Sequence, residues 1–167
     1  MILYLDTVSS LPEFTIIKDN NIVYNSKILL NQNDKMSDLL IPTYLALEKK
    51  FNLDSELKLL IINKGPGSYT ALRIGIAFFS GLSLSQNVKL VGISCMDILR
   101  LSITNDKLIN SAIYISSSNN QNFIGIFDSQ KNLFNMKKIE KNSSLDEQQI
   151  NLSLVNKIYV NQTLTNE

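Results

Sequence analysis

Histidine is absent from these 167 residues, and no other absence removes as much chemistry. Without imidazole there is no serine–histidine or cysteine–histidine nucleophile pair, and no imidazole-held zinc or iron. Catalysis would have to come from carboxylates, lysine, tyrosine or a metal held by oxygens. Cysteine is almost as scarce: Cys95 stands alone, so no internal disulfide can form, which suits a reducing compartment. An excess of one charge is missing as well. Sixteen Lys and Arg against fifteen Asp and Glu give a net charge of +1, which exerts little pull on nucleic acid or a membrane. Arg73 and Arg100 are the only arginines, so tight RNA binding by this chain alone is not expected. No apolar run reaches the ~20 residues of a spanning helix, and no basic stretch precedes an apolar one at the N-terminus. The expectation is a soluble cytoplasmic protein.

What is present is a chain with 44% hydrophobic residues, enough to bury a real core. Ile2 to Leu5 reads as a buried strand ending at Asp6 and Thr7. Phe14 to Lys18 and Ile22 to Leu30 read as two more strands joined by an Asp19-Asn20-Asn21 turn. After a polar break, with Asn33 or Asp34 available as cap, Met36 to Phe51 has helical periodicity. Leu39, Leu40, Thr43, Leu47 and Phe51 share one stripe, and Pro42 should kink the helix or confine its regular part to the later turns. A loop with Asn52 and Asp54 leads to a strand at Leu57–Ile62. Thr70 is read as the cap of a helix from Ala71 to about Leu84. A strand at Lys89–Ile93 follows, then a Ser94/Asp97 capping box for a helix to about Ile103. Beyond Thr104 the composition turns to Asn, Ser, Lys and Gln, with short strands at Ala112–Ile115, Phe123–Phe127, Phe134–Ile139 and Lys157–Val160. The order β-β-β-α-β-α-β-α predicts a mixed α/β lobe over residues 1–104 and a smaller, reduced second lobe over 105–167.

Five features invite a chemical reading, and each has a plain structural alternative. Gly65, Pro66, Gly67, Ser68, Tyr69 and Thr70 join a strand to a helix, where free amides and the helix dipole can hold an anion. No lysine follows the glycines and Pro66 lacks an N–H, so the alternative is a tight turn that lets the helix pack closely. The helix after it is apolar nearly all round, with Gly75, Ala77 and Gly81 interspersed. Its far side therefore needs either another helix of the same chain or a second protein. Arg73 in the first turn opposes the helix dipole and invites a carboxylate partner, in this chain or another; the plain alternative is a solvated side chain. Asp6 resembles the metal-orienting aspartate at the end of the first strand in actin- and hexokinase-like ATPases, but the next turn, Val8 to Pro12, contains no glycine to wrap phosphates. The bland reading makes Asp6 an acceptor of backbone hydrogen bonds. Cys95 is read as a buried thiol.

These residues resemble a known family. Leu3 to Thr7 is similar to its opening strand, and Asp38 to Pro42 to its first helix. Gly65 to Gly75 is similar to its signature GPGSFTGLRIG, with Tyr69 for Phe and Ala71 for Gly; Gly81 to Leu84 and Leu90 to Ser94 continue the match. The family is that of TsaB-like (YeaZ-like) subunits of the bacterial machinery that makes threonylcarbamoyladenosine on tRNA. The resemblance implies an actin/hexokinase-like (ribonuclease H-like) α/β fold without independent catalysis. It implies a complex with a catalytic, metal-binding TsaD-like paralogue and a TsaE-like P-loop ATPase, reaching tRNA only indirectly. No cofactor is expected on this chain alone; ATP and a metal belong to the partner subunits. The first two long helices would dimerise or bind the paralogue, with Leu39, Leu40, Thr43, Leu47, Ala71, Arg73, Ile74, Gly75 and Phe78 as the expected surface. The family's second lobe opens with Asp-Ala-Arg, where this chain reads Ser116, Ser117 and Ser118, and its C-terminal part is longer. Two rival readings remain: an autonomous nucleotide-dependent ATPase or kinase using Asp6, Gly65 and Gly67, and a relative that only homodimerises.

Overall fold

The computed structural model describes residues 1–9, 11–29, 34–102, 111–116, 121–128, 133–140 and 157–160. The chain packs as two units, Met1–Ser94 and Cys95–Glu167. This boundary lies before the one expected after residue 104. Met96, on the helix that follows Ser94, is buried with Ile113, Ile115 and Phe127 of the second unit.

The first unit is built on strand β1, Ile2–Asp6. Leu3 and Leu5 are fully buried, while Ile2, Tyr4 and Asp6, which alternate with them, are half-buried, the period-two pattern of a strand. Strands β2 (Glu13–Lys18) and β3 (Asn21–Lys27) form a hairpin across Asp19 and Asn20. Both turn residues have positive φ, 50° and 62°, as a two-residue I′ turn requires, and Asp and Asn tolerate that region. The sheet order is β3-β2-β1-β4-β5, with β4 at Leu59–Asn63 and β5 at Lys89–Ile93. β1 runs antiparallel to β2 and parallel to β4, and β4 runs parallel to β5.

Helix α1 spans Met36–Phe51, the bounds expected from its periodicity. Its N-cap is Lys35, whose side chain makes no capping bond. Asp34 sits one place too early to serve, and Asn33 lies outside the described residues. The helix continues through Pro42, which is exposed. Asn52 ends it in the left-handed region and sends its N–H to Glu48 O. The expected loop after it contains one helical turn, α2 at Leu53–Glu56, with Leu53 buried. Helix α3 runs Tyr69–Gln86 and starts earlier than expected: Ser68, not Thr70, is the N-cap, its Oγ accepting from Ala71 N at 3.5 Å. Leu3, Leu5, Phe14, Ile16, Leu40, Tyr44, Leu47, Leu60, Ile62 and Phe79 join in one core under the two long helices.

The second unit begins with helix α4, Cys95–Ser102. Its strands are β6 (Ser111–Ser116), β7 (Gln121–Phe127), β8 (Leu133–Glu140) and β9 (Lys157–Val160), in the order β8-β7-β6-β9. β6 is antiparallel to β7 and parallel to β9. One buried cluster gathers Met96, Ile113, Ile115 and Phe127, another Ala112, Ile124 and Ile139. Residues 103 and 117–120, read as a helix end and a polar loop, lie outside the described residues.

Candidate functional site

Three segments of the first unit converge where β1 ends: Asp6 to Ser9, Asn63 at the end of β4, and the glycine-rich entry to α3. Asp6 Oδ1 accepts from the amides of Val8 at 2.8 Å and Ser9 at 3.0 Å. Its Oδ2 accepts from Asn63 Nδ2 at 3.0 Å and from the Tyr4 hydroxyl at 3.4 Å. Asn63 is 1% exposed, and its Oδ1 accepts from Gly65 N at 2.9 Å. Both carboxylate oxygens are thus engaged in ordering the turn, an Asx-type arrangement that a short acidic side chain favours. Asp6 therefore has the role of a backbone acceptor.

The Gly65 amide is committed to Asn63, and Pro66, after a cis peptide bond, has none to offer. Gly65 has φ of 90°, a region side chains avoid. A Cβ on Gly67 would lie 2.7 Å from Val8 Cβ. On Gly75 it would lie 2.9 Å from both Thr7 Cγ2 and Oγ1 and 3.2 Å from Ile62 Cδ1. Thr7, 2% exposed, donates from Oγ1 to Ala71 O at 2.9 Å. The glycines work as a tight turn and a close helix–strand contact, the alternative to an anion cradle. Among the described residues no group of three or more Cys, Asp or Glu side chains is arranged to hold a metal ion.

The expected partner surface divides by depth. Leu40, Leu47 and Gly75 are buried within this chain's own core. Leu39, Thr43, Ala71, Ile74 and Phe78 are half-buried, and Arg73 is exposed. Arg73 meets no carboxylate of the described residues; its guanidinium lies over the Tyr69 ring, 5.4 Å from the centroid. Thr43 Oγ1 turns back onto Leu39 O at 2.7 Å. Where α1 and α3 meet, Tyr44 and Phe78 pack edge to face with centroids 5.3 Å apart. Gln86 Nε2 donates to the Tyr44 hydroxyl at 3.2 Å and also to Asp54 Oδ1. Burial pushes the Tyr44 phenol above its ordinary 10.0, with Asp54 and Glu48 adding to the rise and the Gln86 hydrogen bond opposing it.

Outside these contacts the two helices also expose apolar side chains, beside polar ones such as Asp38, Lys49, Lys50 and Arg73. Ile41 is 51% exposed, Leu45 55%, Tyr69 71%, Ile76 41% and Leu84 85%, and Ala46 and Ala77 are exposed too. None of these seven belongs to the partner surface expected from the sequence. Their signal was present, since a helix apolar all round must have an outward apolar side. Its direction could not be read, because that same composition leaves the inward side unmarked.

A family model described as TsaD: tRNA N6-adenosine threonylcarbamoyltransferase matches residues 30–146. A search of curated protein sequences finds no match. Among solved structures, the chain is similar to YeaZ from Pseudomonas aeruginosa, with a TM-score of 0.64 and 14% identity over 96% of this chain and 84% of that one. It is also similar to a second Pseudomonas aeruginosa structure, an uncharacterized protein with similarity to peptidase YeaZ. There the TM-score is 0.66, with 12% identity over 95% of this chain and 83% of that one. At such identities the likeness speaks for the fold. That fold is mixed α/β, as expected, and YeaZ-like.

Proposed function

Because the chain belongs to the TsaD family, described as tRNA N6-adenosine threonylcarbamoyltransferase, we propose that it serves tRNA threonylcarbamoylation as a non-catalytic subunit. In this reading it holds a TsaD-like catalytic paralogue through the outer faces of α1 and α3. One observation carries the proposal: Ile41, Leu45, Ile76 and Leu84 are exposed on two helices whose inner faces are sealed in the core. Apolar faces of this kind are sites of protein association. Ile41, Leu45, Arg73, Ile76, Ala77 and Leu84 would touch the partner. Leu39, Thr43, Ala71, Ile74 and Phe78 would flank that contact, and Leu40, Leu47 and Gly75 would support it from beneath.

The commitment of Asp6 to Val8, Ser9 and Asn63 supports a role without chemistry of its own. ATP and metal would belong to the partner and to a TsaE-like ATPase. tRNA would be reached through the assembly, in the cytoplasm. The same helical face also suits a second copy of this chain.

The test is light scattering after size exclusion, on the chain alone and mixed with the TsaD-like paralogue from the same organism. A peak of the summed mass, lost with Leu84→Asp, supports the subunit role. An unchanged homodimer would leave self-association as the function. Magnesium-dependent ATP turnover by the pure chain, abolished by Asp6→Ala, would replace both readings with the autonomous enzyme.

A further inference from the structure

Thr7 touches α3 twice, once by attraction and once by fit. Its hydroxyl donates to Ala71 O at 2.9 Å, and the place of a Cβ on Gly75 lies 2.9 Å from its Cγ2 and Oγ1. Ala71 and Gly75 are four residues apart, so they lie one above the other on the same side of the helix. One turn of α3 is therefore keyed to one side chain at the exit of β1. Successive helical residues are ~100° apart around the axis. Rotating α3 by a single position would bring Leu72 and Ile76 to Thr7, where there is no room for them. A second contact acts one residue along the chain, where Gly67 leaves space for Val8.

We propose that Thr7 is a positioning residue for partner binding, and that the glycines at 67 and 75 form with it a steric key that fixes the rotation of α3. This rests on the proposed role of the α3 outer face. That face is presented outward because the opposite side of the helix is locked to Thr7. The signature between β4 and α3 then aligns a docking helix, a task that needs small residues and one hydroxyl. An anion site would instead require its amides to be free, and the Gly65 amide is already used.

The test uses full-length variants and the purified TsaD-like paralogue, titrated well below each variant's unfolding midpoint with folding verified by circular dichroism. Thr7→Val keeps the shape and loses the hydroxyl; Thr7→Ser keeps the hydroxyl. Thr7→Val is expected to weaken binding about five- to tenfold, and Thr7→Ser less than about twofold. Amide resonances of Arg73, Ile76 and Ala77, all exposed on α3, should move in Thr7→Val and return toward native positions in Thr7→Ser. Native affinity of a folded Thr7→Val with unmoved outer-face resonances overturns the positioning role. Leu84→Asp separates the two claims. If it abolishes binding while Thr7→Val binds normally, the surface stands and the key falls. If Leu84→Asp binds normally, the surface falls, and the resonances alone decide whether Thr7 sets the helix.

Discussion

The two units share a strand plan. In the first, β1 lies between an antiparallel hairpin and a parallel neighbour, in the order β3-β2-β1-β4; in the second, β6 occupies the same place in β8-β7-β6-β9. Even the irregularities correspond, with a register shift in β2–β3 at Ile16/Ile17 and another in β7–β8 at Ile126/Phe127. What differs is what each frame carries. The first central strand ends in Asp6, whose carboxylate organises the following turn, and the second ends in Ser116. The first frame continues past its parallel neighbour into the glycine signature, α3 and β5, whereas the described residues of the second stop at β9. Close packing is also solved from opposite sides. The glycine is on the helix in the first unit, Gly75 against Thr7, and on the strand in the second, Gly125 against Met96. A common frame thus fixes the strand order, and the additions to the first unit supply its candidate surface.

The largest expected effect tests whether the two cores are equally stiff. Phe79 and Phe127 are each essentially fully buried, so Phe79→Ala and Phe127→Ala should each cost about 3–5 kcal/mol. Hydrogen exchange should show lost protection in β1 and β4 for the first and in β6 and β7 for the second. Asp6→Ser gives the first central strand the terminal residue type of the second. Removing acceptors of charge-assisted bonds should cost about 1.5–3 kcal/mol by denaturant titration, with faster exchange at Val8 and Ser9. Gly75→Ala places a methyl against Thr7 and should cost about 1–3 kcal/mol, measured as a lowered thermal midpoint.

Smaller still is a pH effect confined to the first unit. The Tyr44 phenol has a raised pKa in the fold, so the folded state favours its neutral form. Its stabilising contribution is complete below the ordinary value of 10.0 and is lost as pH climbs through the folded pKa. Stability curves of the native protein and Tyr44→Phe should run in parallel below pH 10.0, and the native curve should fall relative to the variant's as pH rises from there through the folded pKa. The smallest effect belongs to the second unit. The Arg100–Asp97 pair is 3.8 Å apart and partly exposed, so Arg100→Ala should cost about 1 kcal/mol or less by the same denaturant titration.

Much of this frame could be read from residue order. Met36–Phe51, Lys89–Ile93 and Lys157–Val160 stand at the bounds their patterns suggested, because each is a single apolar rhythm flanked by polar residues. The turn at Leu53–Glu56 was missed because one buried leucine is too little periodicity to mark a helix. Ser68 and Thr70 are equally good caps in isolation, and only the bond from Ala71 N separates them. The carboxylate of Asp6 was legible as a structural acceptor because its turn lacks glycine. The division of α1 and α3 into sealed and open faces was not, since it depends on which side meets the sheet. Gly75 illustrates this: its small size marks a close approach, but the approach is to Thr7 inside the unit.

The central place of β1 also has a consequence for synthesis. Its hairpin partners lie within the first 27 residues, but its parallel neighbour β4 spans Leu59–Asn63. A nascent chain can close β1–β2–β3 early and must then wait for α1, α2 and β4 to leave the ribosome. During that interval one edge of Ile2–Asp6 is an unpaired, apolar strand, the kind of edge on which chains join one another. Slow translation between residues 27 and 59 would prolong that exposure, and aggregation during expression should rise accordingly.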